Sequence, residues 1–285
     1  MALSTENILQ IALDLSGFSK PPADTAIYIP GRDLKSALVG IDMETPEILL
    51  AKQLGFDLVI SHHPEGGEAL LHFPDVLTRF IEMMESHGVP PGQAREAADP
   101  ILYNARCNAH LANYDRAPSA ARLLGIPYMN IHLPLDEIGR RRMEASAANL
   151  PEDATVRDLV EGFEEKLPEF RAAGTEIEIR VGARFQRMGR LAIVHGNGTN
   201  GGYPVARALF EHGVDTVVYI HCSGPDSKRL ADEFQERRKN LVITGHMASD
   251  SLGVNPFVDE LERRGMKVKC MSGVVRVPPS HREGA

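Results

Sequence analysis

Tryptophan is absent from the chain, and aromatic residues make up only 6% of it. That leaves little for stacking bases or sugars on aromatic side chains. Cysteine is scarce as well. Cys107, Cys222 and Cys270 form no CxxC pair. An odd count without framework spacing excludes a disulfide scaffold and points to reduced thiols in a cytoplasmic protein. No run approaches 18 consecutive apolar residues, so no membrane-spanning helix is expected. The opening MALSTENILQIALDL has no basic n-region and no long apolar core, and does not read as a signal peptide. Positive charge is in deficit, with 31 Lys and Arg against 39 Asp and Glu, a formal net charge of -8. A broad nucleic-acid face needs clustered cations. The main basic run, Arg140-Arg141-Arg142, is short and is more simply a solvated helix face. What remains is an ordinary globular composition, 43% hydrophobic and 25% charged over 285 residues. That length serves one large domain or two modest ones.

Apolar periodicity predicts alternating helix and strand. Residues 4–16 pattern as a helix, KSALVG and FDLVI as strands, and TPEILLAKQLG between them as a helix ending in glycine. A strand-helix-strand unit implies a parallel sheet. FPDVLTRFIEMMESHG predicts a further helix, NARCNAH an extended segment, and SAARLLG another helix. From about 134 to 175 the chain is rich in Glu, Arg and Ala, punctuated by Pro134, Pro151 and Pro168. A second alternation follows: EIEIRVG, RLAIVHG, the helix YPVARALFEHG, DTVVYIH, the helix KRLADEFQERR, LVITGH, the helix VNPFVDELERRG and KVKCMSG. The expectation is an α/β protein with two lobes, the first from residues 1–130 with 241–285 and the second from 131–240.

Three segments carry candidate chemistry. In FDLVISHHPEGG an apolar strand runs into His62 and His63. Functional groups in open α/β sheets gather at the carboxyl ends of strands. On a continuing strand the two rings would face opposite sides, but Pro64 interrupts it, so both can turn to one point. Neutral imidazole is a favoured ligand for transition metals. Exposed loop histidines are the plainer reading. In LVITGHMASD, His246 and Asp250 are four apart and share a face if a helix starts there. Alternatively, Asp250 simply complements the helix dipole. CNAHLANYD supplies His110 and Asp115, and Asp115 read alone is better taken as an N-cap. Taken together, three histidines and two carboxylates (His62, His63, His246, Asp115 and Asp250) would satisfy two divalent ions. His plus carboxylate suits zinc, manganese, iron, cobalt or nickel without distinguishing among them.

The blocks GIDMETPEILLAKQLGFDLVISHHP, AHLANYD and ITGHMASDSLG resemble the Nif-three-like family. Its members are also called GTP cyclohydrolase 1 type 2 or dinuclear-metal-centre hexameric proteins. The resemblance spans nearly the whole chain, with the middle third matching in outline. It implies a two-lobed fold with mixed, largely parallel sheets flanked by helices, and a homohexamer. It also implies a dinuclear centre on His62, His63, Asp115, His246 and Asp250. Asp115 is placed there as the last residue of a His-Thr-Asn-x-Asp-like motif, and His110 as its leading histidine, beside the metals. The chain departs from the family pattern at Asp250, where glutamate is usual, and at Leu111 and Glu65.

Two functions follow as expectations. One is a metal-dependent hydrolase of a nucleotide or another phosphate-bearing small molecule, GTP cyclohydrolase-like or a phosphoesterase, with His110 moving a proton. The other is a non-catalytic metal-binding scaffold or regulatory protein. The run from His195 to Gly202 contains GxGxxG between a strand and a helix. A dinucleotide site also needs an acid at the end of the next strand, and TVVYIHCS ends in His221 and Ser223. An anion held by backbone amides and a plain tight turn both stay open.

Overall fold

A computed structural model describes residues 2–198 and 200–279. The chain is α/β and divides into two compact units. The first contains Met1–Val76, Ala105–Ile138 and Asp250–Pro279, and the second Leu77–Asn104 and Gly139–Ser249. No helix among the described residues is long and apolar enough to cross a membrane.

The first unit is built on five strands, β1 (Ala26–Ile29), β2 (Ser36–Gly40), β3 (Leu58–Ser61), β4 (Tyr128–Asn130) and β9 (Lys267–Met271). Their order is β1-β4-β3-β2-β9, with β1 antiparallel to β4 and all other pairs parallel. Every residue of β3 is buried. A strand covered on both faces reads as a continuous apolar run and belongs in the middle of a parallel sheet. The helices Thr45–Gln53 and Arg116–Leu124 pack together, and their Ile48, Ala51, Ala117 and Ala121 join Leu38, Val59 and Tyr128 of the sheet in one buried cluster. Tyr128 keeps its hydroxyl satisfied by donating to the Met43 carbonyl at 2.7 Å.

The second unit carries β5 (Glu178–Val181), β6 (Leu191–Ile193), β7 (Thr216–Tyr219) and β8 (Asn240–Ile243), in the order β5-β8-β7-β6. The last three are mutually parallel, and β5 pairs antiparallel to β8. The amphipathic helices Gly202–Glu211 and Gly224–Phe234 follow β6 and β7, as their apolar spacing predicts.

NARCNAH is not extended. It lies in the helix Pro91–Leu111. The buried positions Ala94, Ala98 and Leu102 recur every four residues and fix one face, and the alanines around them favour helix despite Pro100. Strands β1 and β4 had no expected counterpart, since four and three residues are too few to show a period.

Candidate metal centre

The carboxyl ends of β2, β3 and β4 lie side by side in the first unit. Parallel pairing continues past the end of β3. His62 N–H donates to the Gly40 carbonyl at 2.8 Å and His63 N–H to the Ile41 carbonyl at 2.9 Å, while Ile131 N–H donates back to Ser61 at 3.0 Å. The two rings nevertheless come together, with centroids 5.1 Å apart. Beyond β4, His132 accepts the backbone N–H of Asp136 (3.2 Å) as the helix Leu133–Ala147 begins, which sets the two residues one turn apart. A carboxylate in a first helical turn also complements the helix dipole.

Asp250 arrives on the helix His246–Arg263. That helix comes close to the start of the Asp136 helix because Gly253 has no side chain. A β-carbon at Gly253 would lie 1.9 Å from the Leu135 carbonyl oxygen. The close approach puts two carboxylates against the histidines. His62 Nε2 lies 3.1 Å from Asp136 Oδ1 and 3.8 Å from Asp250 Oδ2, and His63 Nε2 lies 3.4 Å from the same Asp250 oxygen. His132 Nε2 is 3.6 Å from Asp136 Oδ2. Among the described residues of this unit two groups of potential ligand atoms result, His62 with His63 and His132, and His62 with Asp136 and Asp250.

All three imidazoles are anchored through the other ring nitrogen. Nδ1–H donates to the Ile131 carbonyl from His62 (3.0 Å), to Asp42 from His63 (2.7 Å) and to Asp24 from His132 (2.7 Å). An imidazole that holds its proton at Nδ1 presents a lone pair at Nε2. Three such lone pairs beside two carboxylates repel unless a cation, a proton or a metal, lies among them. Outer acceptors of this kind also orient the histidines of metal sites. The donor set therefore fits divalent metal ions.

The electrostatics agree. Burial disfavours charge on His63, but Asp250 and then Asp42 outweigh it and push its pKa up to about 10. His132 is raised too, since Asp136 and Asp24 overcome the effect of burial. Burial, reinforced by Asp42 and Glu44, lifts the Glu65 carboxyl to about 7. The site attracts positive charge.

Of the sequence-derived candidates, the structure brings together His62, His63 and Asp250. His246 opens the helix that carries Asp250 but belongs to the second unit. Neither Asp115 nor His110 is in a group of potential ligand atoms among the described residues. Asp115 sits at the N-cap of Arg116–Leu124 without a side-chain capping bond, half exposed, and accepts from Arg122 at 3.3 Å. His110 is exposed in the last turn of Pro91–Leu111. The carboxylate that reaches the histidines is Asp136. Its signal was in the sequence: His132 and Asp136 have three residues between them, as in His-Thr-Asn-x-Asp, whereas His110 and Asp115 have four.

In the second unit, the glycine-rich turn shows packing reasons for its composition. Gly198 has φ +101°, and a β-carbon there would meet the Phe80 ring at 2.6 Å. Asn200 accepts the backbone N–H of His221, whose ring lies 4.5 Å from that of His246. Thr199, within this motif, lies outside the described residues.

The chain is 48% identical to a NIF3 superfamily protein from Sphaerobacter thermophilus, covering 96% of this chain and all of that one, with a TM-score of 0.91. The chain belongs to the NIF3 superfamily. Two more distant solved structures share the fold alone. A Bacillus cereus protein related to NIF3 is 9% identical over 95% of this chain and 97% of its own, TM-score 0.51. Reduced HcgD from Methanocaldococcus jannaschii is 12% identical over 95% and 99%, TM-score 0.55. No protein-family model matches the chain, and no curated protein does. Membership in the superfamily thus comes with a buried His/Asp cluster that can hold metal.

Proposed function

We propose that this member of the superfamily holds two divalent metal ions on His62, His63, His132, Asp136 and Asp250, and is a hydrolase of a nucleotide or another phosphate-bearing small molecule. The observation that carries the reading is the convergence of three Nδ1-anchored imidazoles on two carboxylates that are at most 2% exposed. Bound divalent ions would supply an activated water and charge for the attacked centre. The chain's own groups divide the remaining work. Asp250 faces both His62 and His63 through one oxygen, so it would help to hold metal beside either imidazole. The His63 side chain is 20% exposed and its Asp42 anchor 55%, against 1% for His62 and Asp250, so substrate meets the site on the His63 side.

Zinc, manganese, iron, cobalt and nickel all suit this donor set. A hexamer, as the family resemblance implies, in the cytoplasm, as the odd count of cysteines without framework spacing suggests, completes the proposal. Protein loaded with each metal, quantified by elemental analysis, should turn over GTP or bis(p-nitrophenyl) phosphate, and His63→Ala should lose both metal and turnover. Full occupancy without turnover of either would refute the hydrolase. It would leave the second reading, a non-catalytic metal-binding scaffold, which is favoured by the burial of His62, Asp136 and Asp250.

A further inference from the structure

Asp24 belongs to no motif and touches none of the two carboxylates, yet it is 0% exposed. A buried carboxylate is costly unless compensated. Both of its oxygens are engaged. Oδ2 accepts from His132 Nδ1 at 2.7 Å, and Oδ1 lies 3.4 Å from the Thr25 hydroxyl. Its backbone is fixed by Asn130, itself fully buried, whose side-chain amide donates to the Asp24 carbonyl at 2.7 Å. The Asn130 amide oxygen meanwhile accepts from Ala26 N–H (3.1 Å) and the Tyr28 hydroxyl (2.8 Å). Thr25 accepts the His132 backbone N–H at 3.2 Å. Topology explains the meeting. Because β1 runs antiparallel to β4, the residues just before β1 sit beside those just after β4.

The three anchors differ in kind. His62 uses a neutral carbonyl, and His63 uses a carboxylate more than half exposed. His132 alone of the three has a buried, charged acceptor. Such an acceptor holds the proton at Nδ1 and enriches the opposite nitrogen. We infer that Asp24 is a positioning residue of the metal centre: it fixes His132 in the tautomer that presents Nε2 to the Asp136 side of the site. The inference rests on the metal reading above. A merely structural ion pair would need no particular tautomer once metal is bound.

The test uses the full chain loaded with zinc. Long-range ¹⁵N–¹H spectra of the wild-type histidine rings should show His132 protonated at Nδ1 and unprotonated at Nε2, assigned by its loss in His132→Gln. Asp24→Asn keeps the shape but removes the charge, and can turn its amide N–H₂ toward Nδ1, favouring the opposite tautomer. Zinc affinity by chelator competition should fall roughly 10–100-fold in this variant. Wild-type His132 protonated at Nε2 overturns the inference, as does unchanged affinity in Asp24→Asn. If Asp24→Asn does not fold, the wild-type tautomer decides. Wild type that takes up no zinc overturns the metal reading itself, and the inference with it.

Discussion

Asp136→Asn should weaken metal binding and Asp115→Asn should leave it unchanged, although the sequence motif nominated the second. Asp136 places its oxygens 3.1 Å from His62 Nε2 and 3.6 Å from His132 Nε2, and is 2% exposed. At an effective dielectric constant of about 20, two unit charges about 4 Å apart interact by about 4 kcal/mol. Removing that charge beside a bound cation, even with half the energy recovered by the amide dipole and by water, weakens binding by about 30-fold or more at about 1.4 kcal/mol per tenfold. The Asp115 carboxyl is 53% exposed and its partner Arg122 59%. Such a surface pair is worth about 0–1 kcal/mol, and none of it couples to the cluster. The assay is zinc affinity by competition with a chromophoric chelator, with bound metal counted by elemental analysis. Asp115→Asn should match wild type within about twofold, since nothing links its surface pair to the ligand atoms. If it loses its metal while Asp136→Asn keeps it, the site assembled here is wrong.

Metal binding should expel a proton at pH 7, because Asp250 and Asp42 push the His63 pKa up to about 10 and so hold that imidazole protonated in the metal-free chain. Apparent affinity should therefore rise with pH through neutrality. Calorimetry in buffers of different ionisation enthalpy would detect the release, and equal heats in all of them would contradict it. Zinc at about 100 times its Kd should stabilise the fold by about 2.7 kcal/mol. A thermal melt should show this as a gain of several degrees that excess EDTA abolishes. Gly253→Ala places a methyl where the Leu135 carbonyl stands, so it should cost about 1–3 kcal/mol in urea melts. It should also weaken zinc binding by separating Asp250 from Asp136. A stable variant with wild-type affinity would show that the close approach is not needed.

The local patterns were legible from residues alone. The apolar run Leu58–Ser61 ending in His62 and His63, the turn that sets His246 four residues before Asp250, and the helix-strand alternation all depend on neighbours in sequence. Such contacts follow from backbone geometry at short range. The rest required the fold. His132 and Asp136 follow a three-residue strand too short to announce itself, and were passed over for a similar string that lies on an exposed helix end. Asp24 is 108 residues from His132 along the chain, and only the antiparallel pairing of β1 with β4 joins them. Gly253 reads as an ordinary helical glycine until Leu135 is found where its side chain would be. The sequence by itself determined which imidazoles stand at the end of β3 and which carboxylate the helix His246–Arg263 carries. Which carboxylate completes the cluster, and what holds each imidazole's proton, were decided by long-range packing, because a carboxylate acts on what it is buried against and not on its place in the chain.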